Sequence, residues 1–168
     1  DDCGLNDSTT VIYSSDHGEN LGNKGLWGKS VLYEDSTAVP LIMAGPDVSV
    51  GKRVSAPVSL VDIYPTIIKC AGEMIDPSEE ARPGTSLLSI AAGDVSERAV
   101  LSEYHASGSI TGEFMVRVGR WKYMYYVGYD PQLFDMEADP HEMHDLAANP
   151  EHAETLAMCE IELRKIVD

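Results

Sequence analysis

Apolar positions along this chain follow two different regimes. In the first half they come as short unbroken runs, Val11-Ile12-Tyr13 and Leu41-Ile42-Met43-Ala44, the second closed by Gly45-Pro46. Runs of this length bounded by turn residues predict strands over 10–13 and 41–44. They are apolar enough to be buried on both faces within a larger sheet. Leu60, Ile63, Tyr64, Ile67, Ile68 and Ala71 then recur at helical spacing. Ser59 and Asp62 open that helix as a capping box, Pro65 tightens its first turn by removing an amide donor, and Gly72 ends it. Cys70 falls in this apolar pattern and is expected in the core. Residues 73–98, rich in Pro, Ser, Glu and Gly, are expected to form a loop.

Beyond residue 98 the pattern changes. Ala99–Tyr104, Phe114–Val118 and Trp121–Tyr126 are rich in β-branched and aromatic residues and predict strands. Gly119-Arg120 joins two of them as a two-residue hairpin. Leu133-Phe134-Asp135 adds a short strand. Asn149-Pro150-Glu151 supplies a cap, a proline at the first helical position and an acid in the first turn. Leu156, Cys159, Leu163 and Ile166 give the final helix its apolar face. The fold class is therefore α/β: the tail of an α/β sheet over residues 1–95, then a small antiparallel sheet with a C-terminal helix over 96–168.

Composition narrows the function. The chain has 168 residues, 43% of them hydrophobic, enough for one ordinary domain with a real core. No run of about 18 apolar residues exists, so no transmembrane helix is expected. Twelve Lys and Arg face 28 Asp and Glu, a net charge of −16, which argues against nucleic acid as a partner. Such a surface does not steer anions from afar, so an anionic substrate has to be captured locally. Cys3, Cys70 and Cys159 are sparse and odd in number, which predicts free thiols rather than a disulfide framework.

The chemistry concentrates just after the first strand. Ser14-Ser15-Asp16-His17-Gly18 ends that strand in a carboxylate and an imidazole, where ligands gather in open α/β sheets. Both are good donors to a divalent cation. A glycine-rich loop with Gly18, Gly22, Gly25 and Gly28 follows, and Lys29, twelve residues past His17, offers a point charge to an anionic oxygen. Taken alone, an Asp-His pair is more often a turn and cap than a metal site, and a lysine more often solvated. His105, after a strand at a pocket edge, is a candidate substrate contact beside a surface or core role. His141 and His144 are assigned to a turn, Glu103 to a structural pair, and Trp121, Tyr123, Tyr125, Tyr126 and Tyr129 to strand packing.

Asp16-His17-Gly18, Gly25-Leu26-Trp27, Lys29, Tyr33-Glu34 and Val39-Pro40-Leu41-Ile42 together resemble the second half of the sulfatase catalytic domain. The resemblance continues through Asp62-Ile63-Tyr64-Pro65-Thr66, Leu133-Phe134-Asp135-Met136 and Asp139-Pro140. It implies the C-terminal part of an alkaline-phosphatase-like α/β fold and a sulfuric ester hydrolase. By the same resemblance Asp16 and His17 match metal ligands, and Lys29 matches the catalytic lysine that contacts the sulfate. The cation would be Ca2+, with Mn2+ or Mg2+ as alternatives. Asp-His in place of Asp-Asn, with Gly-Leu-Trp and Ser102-Glu103-Tyr104-His105, leans towards choline-sulfatase-like members and phosphonate monoester hydrolases. The family's nucleophile is a formylglycine made within a Cys/Ser-x-Pro-x-Arg motif. That motif is absent from these residues and is expected in an upstream part of the same protein, so this chain alone is expected to be inactive. Expected partners are a small sulfate ester, the upstream part and a second copy in a homo-oligomer, with no membrane. A phosphonate or phosphate ester hydrolase, or a non-catalytic binding module, are the alternatives. The compartment, cytoplasm or periplasm, stays open.

Overall fold

The computed structural model describes residues 3–76, 82–95 and 98–167, which divide into two compact units. The first comprises residues 1–16 and 40–96, the second 17–39 and 97–168. In the first unit the apolar runs become β1 (Val11–Ser14) and β2 (Leu41–Ala44). They pair antiparallel, Val11 opposite Ala44 and Ser14 opposite Leu41. Val11, Tyr13 and Ile42, on alternate positions, are exposed.

The capping box forms as expected. Asp62 is fully buried, and its carboxylate accepts from the backbone N–H of Ser59 and of Thr85, each at 2.8 Å. A 3₁₀ turn over Leu60–Asp62 leads into α2 (Ile63–Cys70), which follows a short α1 (Glu34–Thr37) in the second unit. Thr66 donates to the carbonyl of Asp62 at 2.6 Å and accepts from Leu87 N at 2.8 Å. These bonds turn the Asp62, Pro65 and Thr66 side of α2 inward. Leu60, Tyr64 and Ile67 are left exposed in this chain. Cys70, expected in the core, is exposed for the same reason.

The loop expected over 73–98 contains a helix, α3 (Leu87–Ala92), with Leu87 and Ile90 buried and Gly93 ending it at φ 92°. Its Ser86 start, i,i+3 apolar pair and terminal glycine are helix signals that the surrounding polar composition masks. Residues 77–81 and 96–97 of that stretch lie outside the described residues. No described helix is long and apolar enough to cross a membrane.

In the second unit, α1 (Glu34–Thr37) lies within segment 17–39. The segments rich in β-branched and aromatic residues fold as a meander of β3 (Ala99–Tyr104), β4 (Glu113–Val118), β5 (Trp121–Tyr126) and β6 (Gln132–Asp135), all antiparallel neighbours. Val118 pairs with Trp121 across the Gly119-Arg120 turn, with Gly119 at φ 54°. Alternation then sorts side chains to two faces. Val116, Tyr123 and Leu133 point to one face and bury Cys159 and Leu163 of α4 (Ala153–Val167). Asn149 caps the approach to that helix by accepting from Glu151 N at 3.0 Å. Met115, Met124 and Phe134 point to the other face, where they bury Leu32 and Met136. The sheet is thus sandwiched between α4 and the segment that carries the candidate site.

Burial pushes the Cys159 thiol up to about 11. Because the thiolate is the nucleophile, iodoacetamide at neutral pH is expected to leave Cys159 unmodified until denaturant is added. Mass spectrometry of tryptic peptides reads this directly. Rapid modification of Cys159 in the native chain would contradict the packing of α4.

Arg120 makes a bidentate contact with Asp135 at the end of the hairpin, one arm being Nε to Oδ1 at 2.7 Å. The guanidinium bonds hold the Asp135 carboxyl below its ordinary range; burial opposes them, and the backbone N–H groups of Ala138 and Glu137 assist. A depressed folded value means the stabilisation is present above the unfolded value, about 3.9, and is lost as pH falls through the folded one. Asp135→Asn is therefore expected to be less stable at pH 7, with a smaller gap in acid, at a pH below the carboxyl's folded value. Urea unfolding at both pH values measures it. A gap independent of pH would mean that the carboxylate's charge contributes nothing.

Candidate active site

Asp16 is the last residue of the first unit and His17 the first of the second, joined by one peptide bond. His17 is half-buried, while Asp16 and Lys29 are exposed. His17 Nδ1 lies 2.8 Å from the carbonyl oxygen of Gly18. A carbonyl only accepts, so Nδ1 carries the proton and Nε2 keeps its lone pair. Lys29 Nζ contacts that Nε2. Two residues twelve apart in sequence therefore meet.

The loop between them is built to bring them together. Asn20 N donates to Gly28 O at 3.0 Å, and Gly22 N to Leu26 O at 2.8 Å. Gly28 N returns a bond to Glu19 Oε1 at 2.6 Å. At the loop's base, Gly18 N donates to Ser36 O at 2.8 Å. A Cβ on Gly18 would stand 2.0 Å from the carbonyl oxygen of Asp35, so this glycine permits a close backbone approach. Beyond Lys29, Leu32 is buried against the sheet. The Tyr33 hydroxyl donates to Gln132 Oε1 at 3.1 Å.

Under α1 lies a buried charge cluster. Lys122 has no exposed surface, and its Nζ lies 2.8 Å from Glu34 Oε1 and 2.6 Å from Glu142 Oε1. Glu142 Oε2 accepts from Glu34 N at 2.8 Å. Burial lowers the Arg117 guanidinium from its ordinary value, against the raising influence of Glu34, Glu137, Glu142 and Asp135. Lys122 and Glu142 escaped the sequence reading. The signal for Lys122 was its parity: it shares a strand face with Met124 and Tyr126, where a charge needs a buried partner.

His105 is exposed at the end of β3. Its ring stands edge-on to Phe114 with centroids 4.8 Å apart, and its Nε2 lies 3.6 Å from Glu103. Its neighbour Tyr104 donates to Ser30 Oγ at 3.0 Å, next to Lys29. His141 and His144 serve a turn: Asp139 accepts from His144 N at 2.7 Å. Tyr123 is buried, whereas Tyr125 and Tyr129 are exposed.

For a cation, the donor chemistry of Asp16 and His17 fits. The Gly18 carbonyl fixes the His17 tautomer with its proton on Nδ1, as carbonyl acceptors do for ligating imidazoles, and a cation at Nε2 would displace the Lys29 contact found there. Among the described residues no group of three or more His, Cys, Asp or Glu gathers as a metal site.

Residues 22–168 match the family model described as N-sulphoglucosamine sulphohydrolase, C-terminal. The choline-sulfatase of Rhizobium meliloti (strain 1021) is 42% identical over 147 residues, covering 86% of this chain and 28% of that protein. Arylsulfatase K of Mus musculus is 37% identical over 171 residues, 95% of this chain and 30% of its own length. The chain thus spans less than a third of these two relatives. Among solved structures, BT4656 in complex with its substrate D-glucosamine-2-N,6-O-disulfate superposes with TM-score 0.86 and 25% identity, over 98% of this chain and 35% of that one. The phosphonate monoester hydrolase of Silicibacter pomeroyi superposes with TM-score 0.78 and 27% identity, over 94% and 34%. With a matching fold, relatives at 37–42% identity and a family model that extends over most of its length, this chain belongs to the sulfatase family, as a C-terminal portion of the sulfatase fold.

Proposed function

We propose that the protein containing this chain hydrolyses small sulfate monoesters, with Lys29 contacting the sulfate and Asp16 and His17 contributing to a divalent cation site. The observation that carries this reading is the meeting of Lys29 Nζ with His17 Nε2, which brings the anion-binding charge and the imidazole to one place; a cation at Nε2 would take over that contact and leave the lysine to the sulfate. Identity of 42% to a choline-sulfatase supports a sulfate ester as substrate, with choline sulfate as a member of the class.

Each side chain has a distinct task. The Lys29 ammonium is a compact charge that binds a sulfuryl oxygen and stabilises the charge developing there. The Gly18 carbonyl holds the proton on Nδ1, and the Nε2 lone pair, which Lys29 contacts in this structure, would pass from the lysine to the cation. Ligation requires neutral imidazole, so cation affinity falls as the solution is acidified. A divalent cation bound there, calcium by the family resemblance, would polarise the oxygens of the ester. The formylglycine of such enzymes would come from a segment outside residues 1–168.

A second reading has its own support: the 27% identical phosphonate monoester hydrolase shares the fold over 94% of this chain. Assay of the full-length protein with Ca2+ on choline sulfate, an aryl sulfate and an aryl phosphonate monoester separates the two. Faster turnover of either sulfate is the expected result. Faster turnover of the phosphonate would favour the second reading, and no turnover of any would overturn both.

A further inference from the structure

We infer that Glu142 is a positioning residue for Lys29, pinning both feet of the loop that carries it; this rests on the proposed role of Lys29. Lys24 and Glu34 lie five residues before and after Lys29. Both end on Glu142. Lys24 Nζ donates to the Glu142 carbonyl at 2.6 Å and to the His141 carbonyl at 2.8 Å. The backbone N–H of Glu34 donates to the Glu142 carboxylate at 2.8 Å, whose other oxygen faces Lys122. Lys24 also stands 4.9 Å from the centre of the Tyr33 ring.

The arrangement is costly in ways that stability alone does not require. Glu142 and Lys24 both adopt φ 53°, in the left-handed region uncommon for side chains with a Cβ. Glu142 and Lys122 are buried charges, which apolar residues of similar volume commonly replace without loss of stability. Strained backbone and buried charge meeting at one residue are characteristic of a place where geometry itself is retained. Here the geometry held is the span of the loop whose middle residue is Lys29. A displacement of about 1 Å at a reacting group can lower a rate on the order of 10²-fold.

The test uses the full-length protein and an aryl sulfate. Lys24→Met releases one foot without touching the buried cluster, and Glu142→Gln weakens the other. Each is expected to lower kcat about tenfold or more, with a smaller change in KM. Lys24→Arg, which keeps charge and donors, is expected to recover most of the rate. In a Lys29→Ala background the same two changes are expected to cost less than about twofold, since no lysine remains to be misplaced. Thermal unfolding confirms that each variant folds; if Glu142→Gln does not, the Lys24→Met cycle decides alone. Equal losses in both backgrounds, or full activity in folded Lys24→Met, overturn the inference. An unchanged kcat for Lys29→Ala itself overturns both this inference and the functional reading beneath it.

Discussion

Lys29→Ala in the full-length protein is expected to lower kcat on a sulfate monoester by about 10²–10³-fold while leaving cation content unchanged. On the proposed reading Lys29 acts as a charge rather than as a ligand, so its loss should appear in the chemical step. Asp16→Ala and His17→Ala are expected to act differently, reducing cation affinity by on the order of 10²-fold or more. Calcium titration of the three variants beside steady-state kinetics separates the two classes. Unchanged affinity in both ligand variants would refute the ligand assignment. A loss of cation in Lys29→Ala would show that the lysine supports the metal site rather than the sulfate.

Lys122→Ala is expected to destabilise the protein by about 3–5 kcal/mol, the scale for removing one partner of a buried pair. The reason is electrostatic as much as steric. Lys122 is fully buried, and Glu142, nearly so, would keep a carboxylate with no cation at its Oε1. Pairing Lys122→Met with Glu142→Gln removes both charges and is expected to recover much of the loss. Denaturant unfolding measures the cycle. A loss below about 1 kcal/mol in Lys122→Ala would mean that the cluster is hydrated in solution.

The sheet was legible because its strands are rich in β-branched and aromatic residues, which suit a sheet packed on both faces. The turn at Gly119-Arg120, the cap at Asn149 and the boxed start at Ser59 were legible because each is local chemistry between residues a few positions apart. Cys70 was misplaced because helical spacing says that a face is apolar, not which partner covers it; here Thr66 and Asp62 settle the orientation of α2 through hydrogen bonds to distant residues. The helix over Leu87–Ala92 was hidden by its short length within a polar stretch. Asp16, His17 and Lys29 stood out by residue type and by family resemblance. Their support did not, because Glu142 lies 108 residues from Glu34 and 20 from Lys122, and no local pattern links them.

The most direct test of the account is a crystal structure of the full-length protein with Ca2+ and sulfate, with the cation located by anomalous scattering. The expected result is a cation within about 2.6 Å of both Asp16 carboxylate and His17 Nε2, with Lys29 Nζ within about 3.2 Å of a sulfate oxygen. A cation held without Asp16 and His17, or a sulfate bound with Lys29 turned to solvent, would contradict it.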